Sequence, residues 1–212
     1  PKNLTIFHIT GLGAVDKYGL NHLNHSGLVS KVIGGNYGLQ IPFMKNLIVG
    51  NKIEAYNFPQ GILSQMCRTM ASKQPGIITK VGLNTYMDPR IEGGKMNKKT
   101  KKNLIELIKI GGQEYLFYKA PRPDVAIIRG TSIDNDGYVY MDHEATTRED
   151  LSIAQAVHNN GGLVICQFKK FIKKKYTNPH LAKIPSFLID YYVHDPLQKQ
   201  TYVTKYDKFR SG

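Results

Sequence analysis

Apolar positions along the chain come in short bursts separated by glycine, proline or lysine, and the bursts alternate between two periods. "NLTIFHIT" (3–10), "KVIGG" (31–35), "KIEAYNF" (52–58) and "GIITKVG" (76–82) have the apolar density of strands. Between them, "GLNHLNHSGLVS" (19–30), "IPFMKNLIVG" (41–50) and residues 60–72 carry apolar positions at helical spacing. Pro42 suits the first turn of its helix. Residues 83–103, with a DPR turn, a Gly-Gly pair and a lysine run, read as irregular.

Three further strands are expected at 114–120, 124–130 and 138–142, the last two joined by the turn "DNDG". "TREDLSIAQAVHN" (147–159) is a helix with acidic residues near its start, followed by strands at 161–168 and 186–193. Strands alternating with helices predict an α/β domain: an open, mostly parallel sheet flanked by helices, with a small antiparallel insertion around 114–142. One domain over 1–194 is the economical division, and 195–212 reads as a polar, linker-like tail. The chain lacks an initiator Met and begins almost inside a strand, so a preceding first element is expected.

Composition narrows the classes. No run of 18 apolar residues exists, so no transmembrane helix is expected. The N-terminus also lacks the order of a signal peptide. Cys67 and Cys166 have no metal-ligand spacing and read as buried free thiols, which fits a reducing, cytoplasmic setting. The net charge of +13 raises nucleic acid as a partner. Its lysines, however, cluster in 93–103 and 168–176 without interleaved aromatics, as solvated loops would. That reading rests on charge alone; the 95–102 run reads as a solvated loop, with the phosphates of a polyanionic small molecule as its alternative.

Local catalytic motifs are sparse. Gly11 and Gly13 follow a strand, but Asp16 stands where a dinucleotide fingerprint needs glycine. His22 and His25 would share a helical face, without a third metal ligand at motif spacing. G-x-S-x-G, Walker and H-E-x-x-H motifs are absent. The glutamates are Glu54, Glu92, Glu106, Glu114, Glu144 and Glu149. Glu92 has the most site-like surroundings, with a loop ion pair to Arg90 or Lys95 as the plainer alternative.

The stronger signal is a set of strand ends rich in glycine and amides: "VIGGNYG" (32–38), "AYNFPQG" (55–61) and "VGLNTYMDPRIEGGKMN" (81–97). Ligands of open α/β sheets gather beyond the carboxyl ends of strands. Gly34, Gly35, Asn36, Asn57, Gly61 and Gly82 are the candidate substrate-binding residues there. Gln60 is the odd one, a neutral amide where a strand-to-helix turn commonly carries Ser, Thr or Asp. Such groups suit a carbonyl or a developing oxyanion.

These segments, together with "VAIIRGTSIDNDGYVYMDHEA" and "GGLVICQFKKFI", resemble in order and spacing the N-terminal half of family I CoA-transferases, with the fused-chain acetate/propionate enzymes nearest. The resemblance covers almost the whole chain. It implies CoA transfer between an acyl-CoA and a short-chain carboxylate by a ping-pong route through a glutamyl-CoA thioester. Gln60 matches the family's oxyanion donor. The nucleophilic glutamate is expected in a C-terminal half, outside these residues, and the family's first strand ahead of Pro1. CoA is then a substrate, no cofactor or metal is expected, and an oligomer without membrane contact is implied. A non-catalytic or sugar-phosphate-binding protein of the same broad fold is the alternative. Phe58 or Met87 could tune pocket depth.

Overall fold

The computed structural model describes residues 1–13, 18–173, 178–201 and 204–211. They form two compact units, Pro1–Met66 with Pro75–Ala120, and Cys67–Gln74 with Pro121–Gly212. Among the described residues no helix is long and apolar enough to cross a membrane.

The first unit contains a parallel sheet in the order β1 (Leu4–His8), β2 (Val29–Gly34), β3 (Glu54–Asn57). Lys31 lies opposite Glu54 in the β2–β3 register, and their side chains form an ion pair at 2.7 Å. A parallel pair needs a crossover, and here it is a single α turn, α1 (Ile41–Phe43), that continues as a π-helix over Met44–Val49. Its Phe43, Leu47 and Ile48 pack with Val32, Ile53 and Ala55 in one core cluster. The helix expected over 19–30 is confined to a 3-10 turn at Gly19–Leu23, and β2 already begins at Val29. Leu20 is the turn's one buried residue, and Gly27 sits at φ 78°, a conformation no α-helix contains.

Pro59 ends β3 and α2 (Gln60–Ala71) follows, with Ile62, Leu63, Met66, Cys67 and Met70 buried along one stripe. An antiparallel sheet comes next, in the order β4 (Gly76–Thr79), β6 (Gln113–Lys119), β5 (Ile105–Ile110). β5 was not anticipated. It forms a hairpin with β6 through Gly111 and Gly112, both in the left-handed region at φ 56° and 77°. The irregular segment between β4 and β5 has a definite task, because it covers the outer edge of β3. Met96 N–H donates to the Ala55 carbonyl at 2.9 Å, and Ala55 N–H donates to Thr100 Oγ1 at 2.8 Å.

In the second unit β7 (Val125–Arg129), β10 (Leu163–Phe168) and β13 (Tyr191–His194) form a parallel sheet with β10 in the centre. The crossover helix α3 (Asp150–Asn159) packs Ala154 and Val157 on Ala126, Ile128, Val164 and Cys166. A mixed sheet runs β11 (Lys170–Phe171), β8 (Ser132–Ile133), β9 (Val139–Tyr140), β12 (Ala182–Ile184). Antiparallel pairing within 114–142 therefore belongs to β6 and the β8–β9 hairpin, while β7 is parallel. The expected strand at 186–193 splits into a 3-10 turn, Ser186–Leu188, and β13. The tail is docked by glutamines: Gln198 Nε2 donates to the Gly130 carbonyl at 2.9 Å, and the Gln200 carbonyl accepts from Arg129 Nη2 at 3.0 Å. Both cysteines are free and buried, and burial pushes both thiols up to about 12.

Candidate functional site

The carboxyl ends of β2 and β3 and the start of α2 bring Gly34, Gly35, Asn57, Gln60 and Gly61 together. An added Cβ on Gly34 would lie 2.2 Å from His8 Nε2. One on Gly35 would lie 2.4 Å from the Ile9 carbonyl oxygen and 2.6 Å from Gln60 Cγ. Only glycine fits either position, and at Gly35 the missing side chain is what allows Gln60 to lie against the backbone. At Gly61 a Cβ would meet no heavy atom within 4 Å, so this position faces open space.

The two amides of the "YNFPQG" turn do different things. With its amide oriented so that nitrogen meets acceptors and oxygen a donor, Asn57 Nδ2 donates to the carbonyls of Gly34 and Gly35 at 3.1 and 3.3 Å, and Oδ1 accepts from the Tyr86 hydroxyl at 3.0 Å. That hydroxyl also lies 2.6 Å from the Asn57 backbone carbonyl. Asn57 thus ties the glycine pair to β3. Gln60 is exposed at the first position of α2. Pro59 C=O accepts from Ile62 and Leu63 N–H, whereas the N–H groups of Gln60 and Gly61, at the head of the helix, have no intrahelical acceptor. A neutral side-chain amide stands beside the positive end of a 12-residue helix dipole.

Asn36 and Gly82 have local duties instead. Asn36 Oδ1 accepts from Gly38 N–H at 2.8 Å, closing its own turn. Gly82, at φ 97°, is wedged where a Cβ would meet the Tyr118 hydroxyl at 2.5 Å and Met87 Cβ at 2.7 Å. The loop between β4 and β5 is built on Asp88, whose carboxylate accepts from Asn84 N–H and Arg90 N–H and pairs with the Arg90 guanidinium. That guanidinium holds the carboxyl well below the usual range. Arg90 reaches Glu114 as well, at 2.9 Å, so its ion pairs go to Asp88 and Glu114 and none is formed with Glu92, which is exposed.

Several residues not among the candidates also shape the site. Gly94, at φ 70°, accepts from Asn57 N–H and donates its own N–H to the Tyr86 carbonyl. His8 is buried, with Nδ1 against the Thr10 carbonyl at 2.8 Å, so Nδ1 carries the proton and Nε2 presents a lone pair. Burial lowers its pKa and keeps the ring neutral. Among the described residues, His8 Nε2 and both amide atoms of the fully buried Gln40 have no hydrogen-bond partner.

Among the glutamates, Glu54 pairs with Lys31, Glu106 with Lys119, Glu114 with Arg90 and Glu144 with Arg129. Among the described residues no group of three or more His, Cys, Asp or Glu is placed to hold a metal ion. His22 lies in the 3-10 turn and His25 beyond it. Among the described residues the crevice therefore offers close backbone approach at Gly61, one free amide and helix N–H groups. Such a set can stabilise a transient oxyanion.

The family profile described as Coenzyme A transferase matches residues 1–195. The chain is 46% identical over 202 residues to acetate CoA-transferase YdiF of Escherichia coli O157:H7, covering 95% of this chain and 38% of that protein. It is 31% identical over 196 residues to the alpha subunit of the Clostridium acetobutylicum acetoacetyl-CoA:acetate/butyrate CoA transferase, covering 92% of this chain and 79% of that subunit. The crystal structure of YdiF in a thioester complex with CoA superimposes with a TM-score of 0.95 at 45% identity, over 100% of this chain and 41% of that one. The chain thus spans about two fifths of the length of its E. coli relatives.

Proposed function

The chain belongs to the coenzyme A transferase family as an alpha-type half, and from that premise we propose that it serves an enzyme moving CoA between an acyl-CoA and a short-chain carboxylate. The observation that carries the reading is the free amide of Gln60, held against Gly35 at the head of α2. The reaction runs through a glutamate carboxylate that attacks the acyl-CoA thioester. Thiolate leaves, an acyl-glutamyl anhydride forms, and CoA thiolate returns to the glutamyl carbonyl, breaking the anhydride C–O bond to give a glutamyl-CoA thioester and release the donor carboxylate. The carboxylate acceptor then takes the CoA. Each transfer passes through a tetrahedral oxyanion. Gln60 Nε2–H donates to that oxygen, and the α2 dipole favours its charge. Gly61, where an added Cβ would meet nothing, lets the acyl group approach the backbone closely, while Gly34 and Gly35 make room for His8 and Gln60.

The nucleophile belongs to a C-terminal half. Four of the six glutamates here are engaged in ion pairs, which agrees with that division of labour. The thioester complex of the YdiF relative supports a covalent route. CoA is a substrate, and no other cofactor is required. A sugar-phosphate-binding role is not favoured, because the relatives are transferases and the site presents amides instead of cations.

The test is CoA exchange from acetyl-CoA to short carboxylates, measured on the complete enzyme. Gln60→Ala should lower kcat by on the order of 10²-fold, the effect of losing one oxyanion donor. Folding should be unchanged, because the side chain is exposed. An unchanged rate removes Gln60 from the mechanism, and trapping the glutamyl-CoA thioester on one of these six glutamates removes the division between halves.

A further inference from the structure

Gln60 can act as an oxyanion donor only if the turn that carries it is held still. It lies at the tip of β3, against a glycine pair with no side chains to brace it. Two contacts supply the bracing, and both converge on Asn57, three residues upstream.

From one side comes the β4–β5 loop. The Tyr86 hydroxyl lies 2.6 Å from the Asn57 backbone carbonyl and 3.0 Å from its Oδ1. The Asn57 N–H donates to the Gly94 carbonyl at 2.9 Å, and the Gly94 N–H returns to the Tyr86 carbonyl at 3.0 Å. This closes a ring of hydrogen bonds through Tyr86, Asn57 and Gly94. From the other side, the Asn57 side-chain N–H groups reach the carbonyls of Gly34 and Gly35. Gly35 is the residue whose Cα face touches Gln60 Cγ. The loop itself is anchored by the Asp88–Arg90 pair two residues beyond Tyr86.

We propose that Tyr86 is a positioning residue: acting through Asn57 and Gly35, its hydroxyl holds Gln60 where the oxyanion forms. The phenol is suited to this. Burial pushes its pKa up to about 12, so it remains a proton donor throughout the range in which an enzyme works. Tyr86 does not touch the reacting atoms. Its contribution is to the preorganisation of a donor, which weighs on the transition state more than on ground-state binding. The inference rests on the CoA-transfer reading for its consequence, though not for its geometry.

The test uses the complete enzyme with Tyr86→Phe, which keeps the ring and removes only the hydroxyl. The expected result is a fall in kcat of about tenfold, equivalent to about 1.4 kcal/mol, with KM for both substrates unchanged. In a Gln60→Ala background the same substitution should have no further effect, because the donor being positioned is gone. A general structural role would lower the rate in both backgrounds. Amide hydrogen exchange at Asn57, whose N–H is bonded to the Gly94 carbonyl, supplies an activity-independent readout and should quicken in Tyr86→Phe. The proposal is overturned by an unchanged kcat, by a raised KM at constant kcat, by additivity with Gln60→Ala, or by unchanged exchange. A wild-type enzyme that moves no CoA would sink the functional reading alone, and the exchange measurement would still decide whether the latch exists.

Discussion

Thr100→Val should loosen the outer edge of β3 although it alters nothing in the crevice. Thr100 is 3% exposed and its hydroxyl does work that a neighbouring strand ordinarily does. It accepts from the fully buried Ala55 N–H at 2.8 Å and donates to Asn97 Oδ1 at 2.7 Å. Asn97 in turn donates to the carbonyls of Ile48 and Ile53 at 2.8 and 3.0 Å. Valine keeps the shape and the β-branch, so cavity effects are small. It strands the Ala55 N–H, at roughly 1–3 kcal/mol, and removes a hydroxyl hydrogen bond worth about 1 kcal/mol. Asn97 Oδ1 is not orphaned, since it keeps the Thr100 N–H at 3.1 Å. The extra methyl returns up to about 0.8 kcal/mol. The net loss is about 1–3 kcal/mol, which is about 5- to 150-fold in a local opening equilibrium. Native-state hydrogen exchange at the Ala55 amide reads this directly, and Thr100→Ser should restore most of the protection. If Ala55 exchanges at the wild-type rate in Thr100→Val, the claim that this loop seals β3 is wrong.

Gly35→Ala and Gly61→Ala should separate packing from access. The first drives a Cβ into the Ile9 carbonyl and into Gln60, and should lower stability by roughly 1–3 kcal/mol and displace the donor. The second meets nothing, so thermal stability should hold while KM for the acyl substrate rises; an unchanged KM would place Gly61 away from the substrate. Asp150 opens α3 with its carboxyl pushed up to about 6 by burial, the Glu144 charge adding to the shift. A carboxyl whose folded pKa exceeds its unfolded value binds protons more tightly when folded. Its neutral form therefore favours folding at low pH, and stability falls as pH rises from about 4 to about 6. Asp150→Asn should flatten that slope and raise stability at pH 7 by about 3 kcal/mol. Denaturation curves of equal slope in both proteins would show that Asp150 is not desolvated.

What the sequence determined by itself was whatever local rules govern. Pro59 had to end β3, the apolar stripe of residues 60–71 had to form a helix, and glycines had to occupy the strand ends. Each of those outcomes depends on steric or periodic preferences acting over a few residues. Gln60 at the crevice was legible for the same reason, since a proline turn places the next residue at the helix head. Misjudged elements were those where local preference is weak. "GLNHLNHSGLVS" has helical spacing but too little to bury, and "IELIKI" lies among lysines that masked its alternation.

Tertiary structure alone decided what each polar side chain does. Asn57 and Gln60 look alike as neighbouring amides in the same turn. Contacts from Tyr86, 29 residues away, and from the carbonyls of Gly34 and Gly35 occupy the first and leave the second free. The lysine-rich segment read as a solvated loop, yet Thr100 inside it completes the edge of a strand 45 residues earlier. Hydrogen bonds of that kind depend on which backbone groups lack a partner once the sheets have formed. That is a property of the folded chain in space, and no pattern along the sequence encodes it locally.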